Sequence, residues 1–80
     1  MNPPLLAIER RSPAVAVVTL QRQHKLNALN DALVDALAAA ADELREDARV
    51  KAVVLTGGPR VFSAGADMST FDAVERQSDV

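Results

Sequence analysis

The order of apolar and polar positions predicts a strand hairpin at the start of the chain. Residues 5–10 alternate weakly between the two classes, and residues 14–20 form a run that is apolar on both faces. A polar turn, Arg11-Ser12-Pro13, separates them and is short enough for an antiparallel hairpin. Because a strand that is apolar on both faces belongs inside a sheet, we expect the second strand to be central.

Residues 31–47 carry the period of an amphipathic helix. Apolar side chains recur three or four positions apart, which predicts one face turned toward a core. These positions are Leu29, Leu33, Leu37, Ala40 and Leu44. Asn30 is suited to cap the start of this helix, and Arg45 and Arg49 lie near its end, where the helix dipole favours cations.

A third strand is predicted at residues 51–56, and a turn follows at residues 57–60, Gly-Gly-Pro-Arg. A helix between two strands is typical of a crossover unit that makes the strands parallel. The fold class is therefore α/β. One face of so small a sheet has little to cover it, which indicates part of a larger domain or a partner.

Residues 63–67, Ser-Ala-Gly-Ala-Asp, form a small-residue segment that we call the elbow. Alanine and glycine have so little bulk that another molecule can approach the backbone and meet free N–H groups. The same residues also suit a plain tight turn with Gly65 at positive φ. Asp67 offers a short acceptor for capping a further helix in the polar segment 69–80, and Ser69 is the competing cap.

Composition excludes several classes of function. The chain has 80 residues and no cysteine, which leaves no disulfide and no thiolate zinc site. A net charge of −2 and only two aromatic residues argue against a nucleic-acid partner. No apolar run approaches the ~20 residues of a membrane span, and the N-terminus lacks the features of a signal peptide. We therefore expect no membrane association and a cytoplasmic location.

Two motifs carry a family resemblance. Residues 25–30, Lys-Leu-Asn-Ala-Leu-Asn, and residues 62–68, Phe-Ser-Ala-Gly-Ala-Asp-Met, resemble signatures of the enoyl-CoA hydratase/isomerase (crotonase) superfamily, as does the strand at 53–57. The resemblance implies the N-terminal portion of a crotonase-like ββα spiral: antiparallel hairpin, helix, strand and small-residue elbow. Residues 1–80 would then be a single incomplete domain, an N-terminal fragment.

The resemblance also implies a chemistry. In this family the Ala-Gly-Ala-Asp segment contributes one backbone N–H to an oxyanion hole for an acyl-thioester carbonyl, and here that N–H belongs to Ala66. Coenzyme A would enter as part of the substrate, with no permanently bound cofactor and no metal. Contacts with it are implied at Lys25, Leu26, Ala28, Ala64, Gly65, Ala66, Asp67 and Met68.

The implied reaction is hydration of a 2-trans-enoyl-CoA through a stabilised thioester enolate, with double-bond isomerisation as the close alternative. Full-length members are usually homotrimers or hexamers. The family's second oxyanion donor and its catalytic glutamates lie further along than Val80. We therefore expect the 80-residue chain to be inactive by itself and poorly folded alone. Met68 and Phe71 suit either an acyl pocket or ordinary core packing.

The remaining polar residues have plainer interpretations. Glu43 and Glu46 are expected to form ion pairs with Arg45 and Arg49, and His24 is expected to face solvent. Arg22 and Lys25 suit either surface charge or contact with the phosphates of coenzyme A. Asn27 is expected to hold the backbone of its own loop.

Two other functions fit less well. A triad of Ser63, His24 and Asp67 lacks the Gly-x-Ser-x-Gly turn on which such nucleophiles sit. A nucleotide-binding crossover unit would need a Gly-x-Gly-x-x-Gly turn after the first strand, and the sequence has none.

Overall fold

A computed structural model describes residues 4–67. In chain order the elements are β1 (Leu6–Ser12), β2 (Val15–Leu20), a 3₁₀ turn (Gln23–Lys25), α1 (Asp31–Arg45) and β3 (Ala52–Thr56). The strands form one sheet in the order β1-β2-β3. This confirms the α/β class and the central position of the second strand. The helix expected after Ser69, and the expectations for Met68 and Phe71, lie outside the described residues.

The hairpin forms as predicted but turns later. β1 pairs antiparallel with β2, and the register shifts between Arg10 and Ser12. Arg11 is therefore an extra residue, and a bulge of this kind lets a strand bend while pairing continues. β1 consequently runs to Ser12, and the turn falls at Pro13 and Ala14 rather than at Arg11-Ser12-Pro13.

Helix α1 begins where the sequence predicts. The Oδ1 atom of Asn30 accepts the Leu33 N–H at 2.9 Å, which confirms the N-cap. Leu33, Ala40 and Leu44 are buried, and Leu44 packs with residues of β2 in the core. The helix ends at Arg45 rather than at residue 47, because the Asp47 carboxylate accepts the Arg49 N–H and turns the chain locally.

The ion pairs on this helix differ from those expected. Arg45 pairs with Asp42 at 3.0 Å, one turn back along the helix. Glu43 lies 3.9 Å from Arg10 of the hairpin, and Arg49 binds Asp47 at 3.1 Å. Glu43 therefore points across to β1 instead of toward the arginines of its own element.

Strand β3 lies parallel to β2, from Val15 opposite Ala52 to Thr19 opposite Thr56, which confirms the crossover. It forms an edge of the sheet within residues 4–67. Val53, Val54 and Leu55 remain 51%, 49% and 45% exposed, so both faces of this strand are open. The predicted lack of cover is confirmed for the described part of the chain.

Candidate functional site

Two loops meet beyond the ends of the parallel strands. The framework loop, residues 22–29, follows β2, and the elbow follows β3 after the turn at 57–60. Loops at the carboxyl ends of neighbouring parallel strands lie side by side, which is where α/β proteins place ligands. Here the two loops form a short parallel bridge between Leu29 and Ala66.

Backbone hydrogen bonds hold this bridge. The Leu29 N–H donates to the Gly65 oxygen at 2.7 Å, and the Asp67 N–H donates to the Leu29 oxygen at 2.8 Å. Further back, the Ala64 N–H donates to the Leu26 oxygen at 3.0 Å. The elbow is therefore fixed in register against the framework loop.

Asn27 is the fully buried centre of the arrangement. Its Oδ1 accepts the Arg22 N–H at 2.8 Å, which confirms that it holds its own loop. The sequence did not reveal the other half of its role. Its Nδ2 lies 2.9, 3.2 and 3.3 Å from the carbonyl oxygens of Gly57, Phe62 and Val61. One amide thus ties the framework loop to the turn that leads into the elbow.

Glycine at position 57 allows the turn to lie close to the Asn27 amide. A Cβ atom at Gly57 would overlap with the backbone oxygens of Phe62 and Val61. Any side chain would push the turn outward, away from the Asn27 amide. Glycine is therefore required at this position by space.

Arg22 is buried, which corrects both interpretations of it as a surface charge or a coenzyme A contact. Only 9% of its surface is exposed, and its Nη1 donates at 2.8 Å to both the Ala28 oxygen and Asp67 Oδ2. Asp67 therefore binds a guanidinium, and the helix it was expected to cap lies outside the described residues. Hydrophobic periodicity carries no signal for such a pair of residues far apart in sequence.

Ser63 shapes the elbow from within. Its Oγ donates to the Asn27 oxygen at 2.8 Å and accepts the Gly65 N–H at 3.0 Å. Gly65 then adopts a φ of 92°, as the turn interpretation predicted. His24 is exposed, as expected, and no hydrogen bond among residues 4–67 joins it to Ser63 or Asp67. The catalytic triad does not form.

The framework loop has no backbone N–H groups left for a ligand between residues 25 and 29. Within it, the N–H groups donate to other backbone oxygens, and the carbonyls accept from Ala28, Ala64, Ser63, Arg22 and Asp67 in turn. What this loop presents outward is mainly side chains, including exposed Lys25 and Leu26. The coenzyme A contacts implied at Lys25, Leu26 and Ala28 stay predictions.

Ala66 in the elbow differs from residues 25–29 in the direction of its backbone N–H. Because the Gly65 oxygen and the Asp67 N–H both face Leu29, the N–H and C=O of Ala66 point to the opposite side. Within residues 4–67, no acceptor is bound to the Ala66 N–H, and the residue is exposed. The bridge therefore presents a rigidly held backbone donor.

Comparison with known proteins shows the family. The profile described as enoyl-CoA hydratase/isomerase matches residues 10–79. This chain belongs to the enoyl-CoA hydratase/isomerase family. It is 45% identical over 58 residues to the mitochondrial enoyl-CoA hydratase of Pongo abelii, a match that covers 72% of this chain and 20% of that protein.

Solved structures named as enoyl-CoA hydratases are similar in fold. EchA8_6 from Mycobacterium marinum is 41% identical with a TM-score of 0.76, over 88% of this chain and 33% of that one. The enoyl-CoA hydratase from Bacillus anthracis is 28% identical with a TM-score of 0.81, over 95% and 30%. The chain thus spans between a fifth and a third of the length of these relatives.

In this member of the enoyl-CoA hydratase/isomerase family an apolar groove of about 370 Å³ borders the elbow. It is lined by Leu20, Leu29, Leu37, Leu55, Phe62, Ser63 and Gly65. Across residues 4–67, no three histidine, aspartate or glutamate side chains converge as a metal site would need. No helix in that range has the length and apolar character to cross a bilayer.

Proposed function

We propose that this chain carries the thioester-binding part of an enoyl-CoA hydratase-like protein, with the Ala66 N–H donating to the acyl carbonyl oxygen. The observation that carries the proposal is the outward-facing Ala66 N–H, which is held by the Leu29 bridge and has no acceptor within residues 4–67. Membership of the enoyl-CoA hydratase/isomerase family supports an acyl-CoA as the ligand that would use such a donor.

The chemistry requires a donor of this kind. When water adds to a 2-trans-enoyl-CoA, oxygen bonds to C3 and negative charge grows on the thioester oxygen until C2 takes a proton. A fixed N–H at that oxygen typically lowers the barrier by ~3–4 kcal/mol. Double-bond isomerisation passes through the same enolate, so it is the alternative reaction for this site.

Coenzyme A would lie along the two loops. The exposed Lys25 ammonium suits its phosphates, and the backbone of Ala64, Gly65 and Asp67 lines the approach to Ala66. Met68 belongs to the proposed site and lies outside the described residues. The adjoining groove, which is almost wholly apolar, suits part of the acyl chain.

The chain is proposed to bind the substrate without turning it over. The glutamates and second donor that the family resemblance implies would come from elsewhere in a longer domain. A cytoplasmic location and a homotrimeric or hexameric assembly are further parts of this proposal for the whole protein.

An amide-to-ester replacement tests the donor directly. A chain of 80 residues is short enough for chemical synthesis. An ester at residue 66 removes its N–H and also makes the Gly65 oxygen, which accepts the Leu29 N–H, a weaker acceptor. We expect this variant to bind acetoacetyl-CoA, whose thioester readily forms an enolate, about tenfold or more weakly, since hydrogen bonds to charged groups contribute about 1.5–3 kcal/mol. Its affinity for free coenzyme A, which has no carbonyl at this point, should not change.

The matched control is an ester at Ala64, whose N–H donates to the Leu26 oxygen at 3.0 Å. This ester should lower the free energy of unfolding, because it removes a framework hydrogen bond. Unchanged affinity for acetoacetyl-CoA after the ester at residue 66, measured by calorimetry, would rule out Ala66 as the donor.

A further inference from the structure

A buried guanidinium lies beside the elbow. Arg22 lies two residues after the end of β2 and uses one nitrogen, Nη1, to bind both the Ala28 oxygen and the Asp67 carboxylate at 2.8 Å. Its side chain is 11% exposed and that of Asp67 is 16% exposed. By contrast, the Arg45 and Asp42 side chains of a surface pair are 75% and 67% exposed.

The two acceptors flank the bridge that presents Ala66. Ala28 precedes Leu29 on the framework loop, and Asp67 follows Ala66 on the elbow. A single nitrogen atom therefore connects the framework loop and the elbow, at the residues next to the bridged pair Leu29 and Ala66. Any shift of the elbow relative to the loop would break this connection.

The bridge itself is short, and the elbow is also held to the framework loop by hydrogen bonds from Ala64 to Leu26 and from Ser63 to Asn27. The bridge is isolated rather than part of a ladder, and residues on both sides have positive φ, at 52° for Leu26, 55° for Asn27 and 92° for Gly65. Backbone in this region is strained for residues other than glycine and keeps its shape only when its surroundings impose it. The contacts of Arg22 with Ala28 and Asp67 supply part of that constraint on either side of the bridge.

We propose that Arg22 is a positioning residue that sets the direction of the Ala66 N–H by joining Asp67 to Ala28. The proposal rests on the function proposed for Ala66. Arg22 would not touch the substrate. It holds two acceptors through a planar group of fixed geometry, which the compact, flexible ammonium of lysine reproduces poorly.

The test uses the full chain with Arg22→Met and Arg22→Lys, and with Arg45→Met as the control that removes a surface pair. Affinities for acetoacetyl-CoA and for free coenzyme A are measured by calorimetry, and their ratio reports the contribution of the thioester contact. The Ala66 amide resonance and the hydrogen exchange of Leu29, Asp67 and Val18 are followed by NMR. Val18 lies in the central strand and reports general loss of stability.

We expect Arg22→Met to reduce the affinity ratio about tenfold, as small misplacements of binding groups can do. The Ala66 resonance should shift, and exchange at Leu29 and Asp67 should accelerate more than exchange at Val18. Arg22→Lys should restore part of both effects, and Arg45→Met should change neither.

The outcomes separate the two proposals. A normal affinity ratio and an unmoved Ala66 resonance in Arg22→Met would overturn the positioning role and leave the Ala66 donor intact. If the unmodified chain binds acetoacetyl-CoA no better than coenzyme A, the proposed function fails, and the Ala66 resonance and the exchange rates still decide the role of Arg22. If Arg22→Met does not fold, the same measurements on Arg22→Lys decide it.

Discussion

The framework loop and the elbow lie against each other but use their backbones in opposite ways. Between residues 25 and 29 the backbone N–H and C=O groups are all bound within the protein. In the elbow, the N–H groups of Ser63 and Ala66 have no acceptor among residues 4–67. Residues 25–29 of the framework loop are saturated, whereas the elbow keeps two N–H groups without an acceptor in the part of the chain that the structure describes.

This difference shows how a binding donor can be made rigid. A backbone N–H in a mobile loop would contribute less to binding free energy, because binding would have to pay the entropy of ordering the loop. Here residues 25–29 are already ordered by their own hydrogen bonds, and the bridge to Leu29 holds Ala66 in place. The Ala66 N–H, which has no acceptor among residues 4–67, is therefore held in a defined position.

Asn27→Ala should have the largest effect, because it removes the side chain that joins the framework loop to the turn before the elbow. The variant leaves the Arg22 N–H and the carbonyls of Val61 and Phe62 without this partner, whereas the Gly57 oxygen still accepts from Gln23 Nε2 at 3.0 Å. We expect the free energy of unfolding to fall by about 3–5 kcal/mol, since several unsatisfied buried groups are left together. Urea denaturation followed by circular dichroism measures this loss, and the transition of the unmodified chain tests the expectation that the chain folds poorly alone.

Its control is Asn30→Ala, which removes only the helix cap made to the Leu33 N–H. The expected loss is about 1 kcal/mol. Equal losses for the two asparagine variants would show that Asn27 does not join the two loops.

Paired glycine variants sharpen the contrast between a crowded and an open turn. Gly57→Ala places a Cβ against the Phe62 oxygen, whereas a Cβ at Gly65 meets nothing within 4 Å. We expect losses of stability of about 2–3 kcal/mol for Gly57→Ala from overpacking. Gly65→Ala should lose only about 1–2 kcal/mol, from its positive φ.

The two variants should also differ in binding. Gly65→Ala changes the backbone next to Ala66 and should weaken acetoacetyl-CoA binding more than its stability loss suggests. Thermal melts and calorimetry on the same samples would test this, and a Gly57→Ala protein as stable as the unmodified chain would contradict the packing argument.

Lys25→Ala tests what the framework loop offers outward. Because its backbone is already bound, we expect only the ammonium to matter, with a loss of coenzyme A affinity of about twofold to fivefold, typical of an exposed charge pair. The loss should shrink as salt is added. The control is Lys51→Ala, which removes an exposed lysine just before β3 and should leave the affinity unchanged.

Replacing Asp47, which lies outside both loops, should have the smallest effect, and that effect is on the pH dependence of stability. Hydrogen bonds from the Arg49 side chain and backbone hold the pKa of Asp47 below its usual value of 3.8. The unfolded chain then binds more protons there than the folded chain, so this contribution is present above pH 3.8 and is lost as the pH falls through the folded pKa.

Asp47→Asn should therefore reduce the acid sensitivity of unfolding while leaving binding to the elbow unchanged. Urea midpoints collected from neutral to acid pH would show a shallower decline for the variant. An unaltered pH profile would remove Asp47 as a source of acid sensitivity.

Sequence periodicity alone determined the elements. The two-residue alternation, the apolar stripe that ends at Leu44 and the cap at Asn30 predicted the hairpin, the helix and the crossover, because each depends on neighbours a few positions apart. The bulge at Arg11 escaped prediction, since an extra residue in a strand appears only when its partner strand is known. The two motifs also identified the family that the comparisons show.

Tertiary structure alone decided the partners of the polar groups. That Arg22 would bind Asp67 and that the Asn27 amide would bind the turn at Gly57 depends on which loops the parallel strands bring together. The family resemblance had named the Ala66 N–H as a donor, and the bridge to Leu29 shows how the fold turns it outward. Periodicity records which side of an element avoids water, and it says nothing about where a distant loop will lie. Hydrogen bonds are directional and short, so their pairing is settled only when the fold places donor and acceptor side by side.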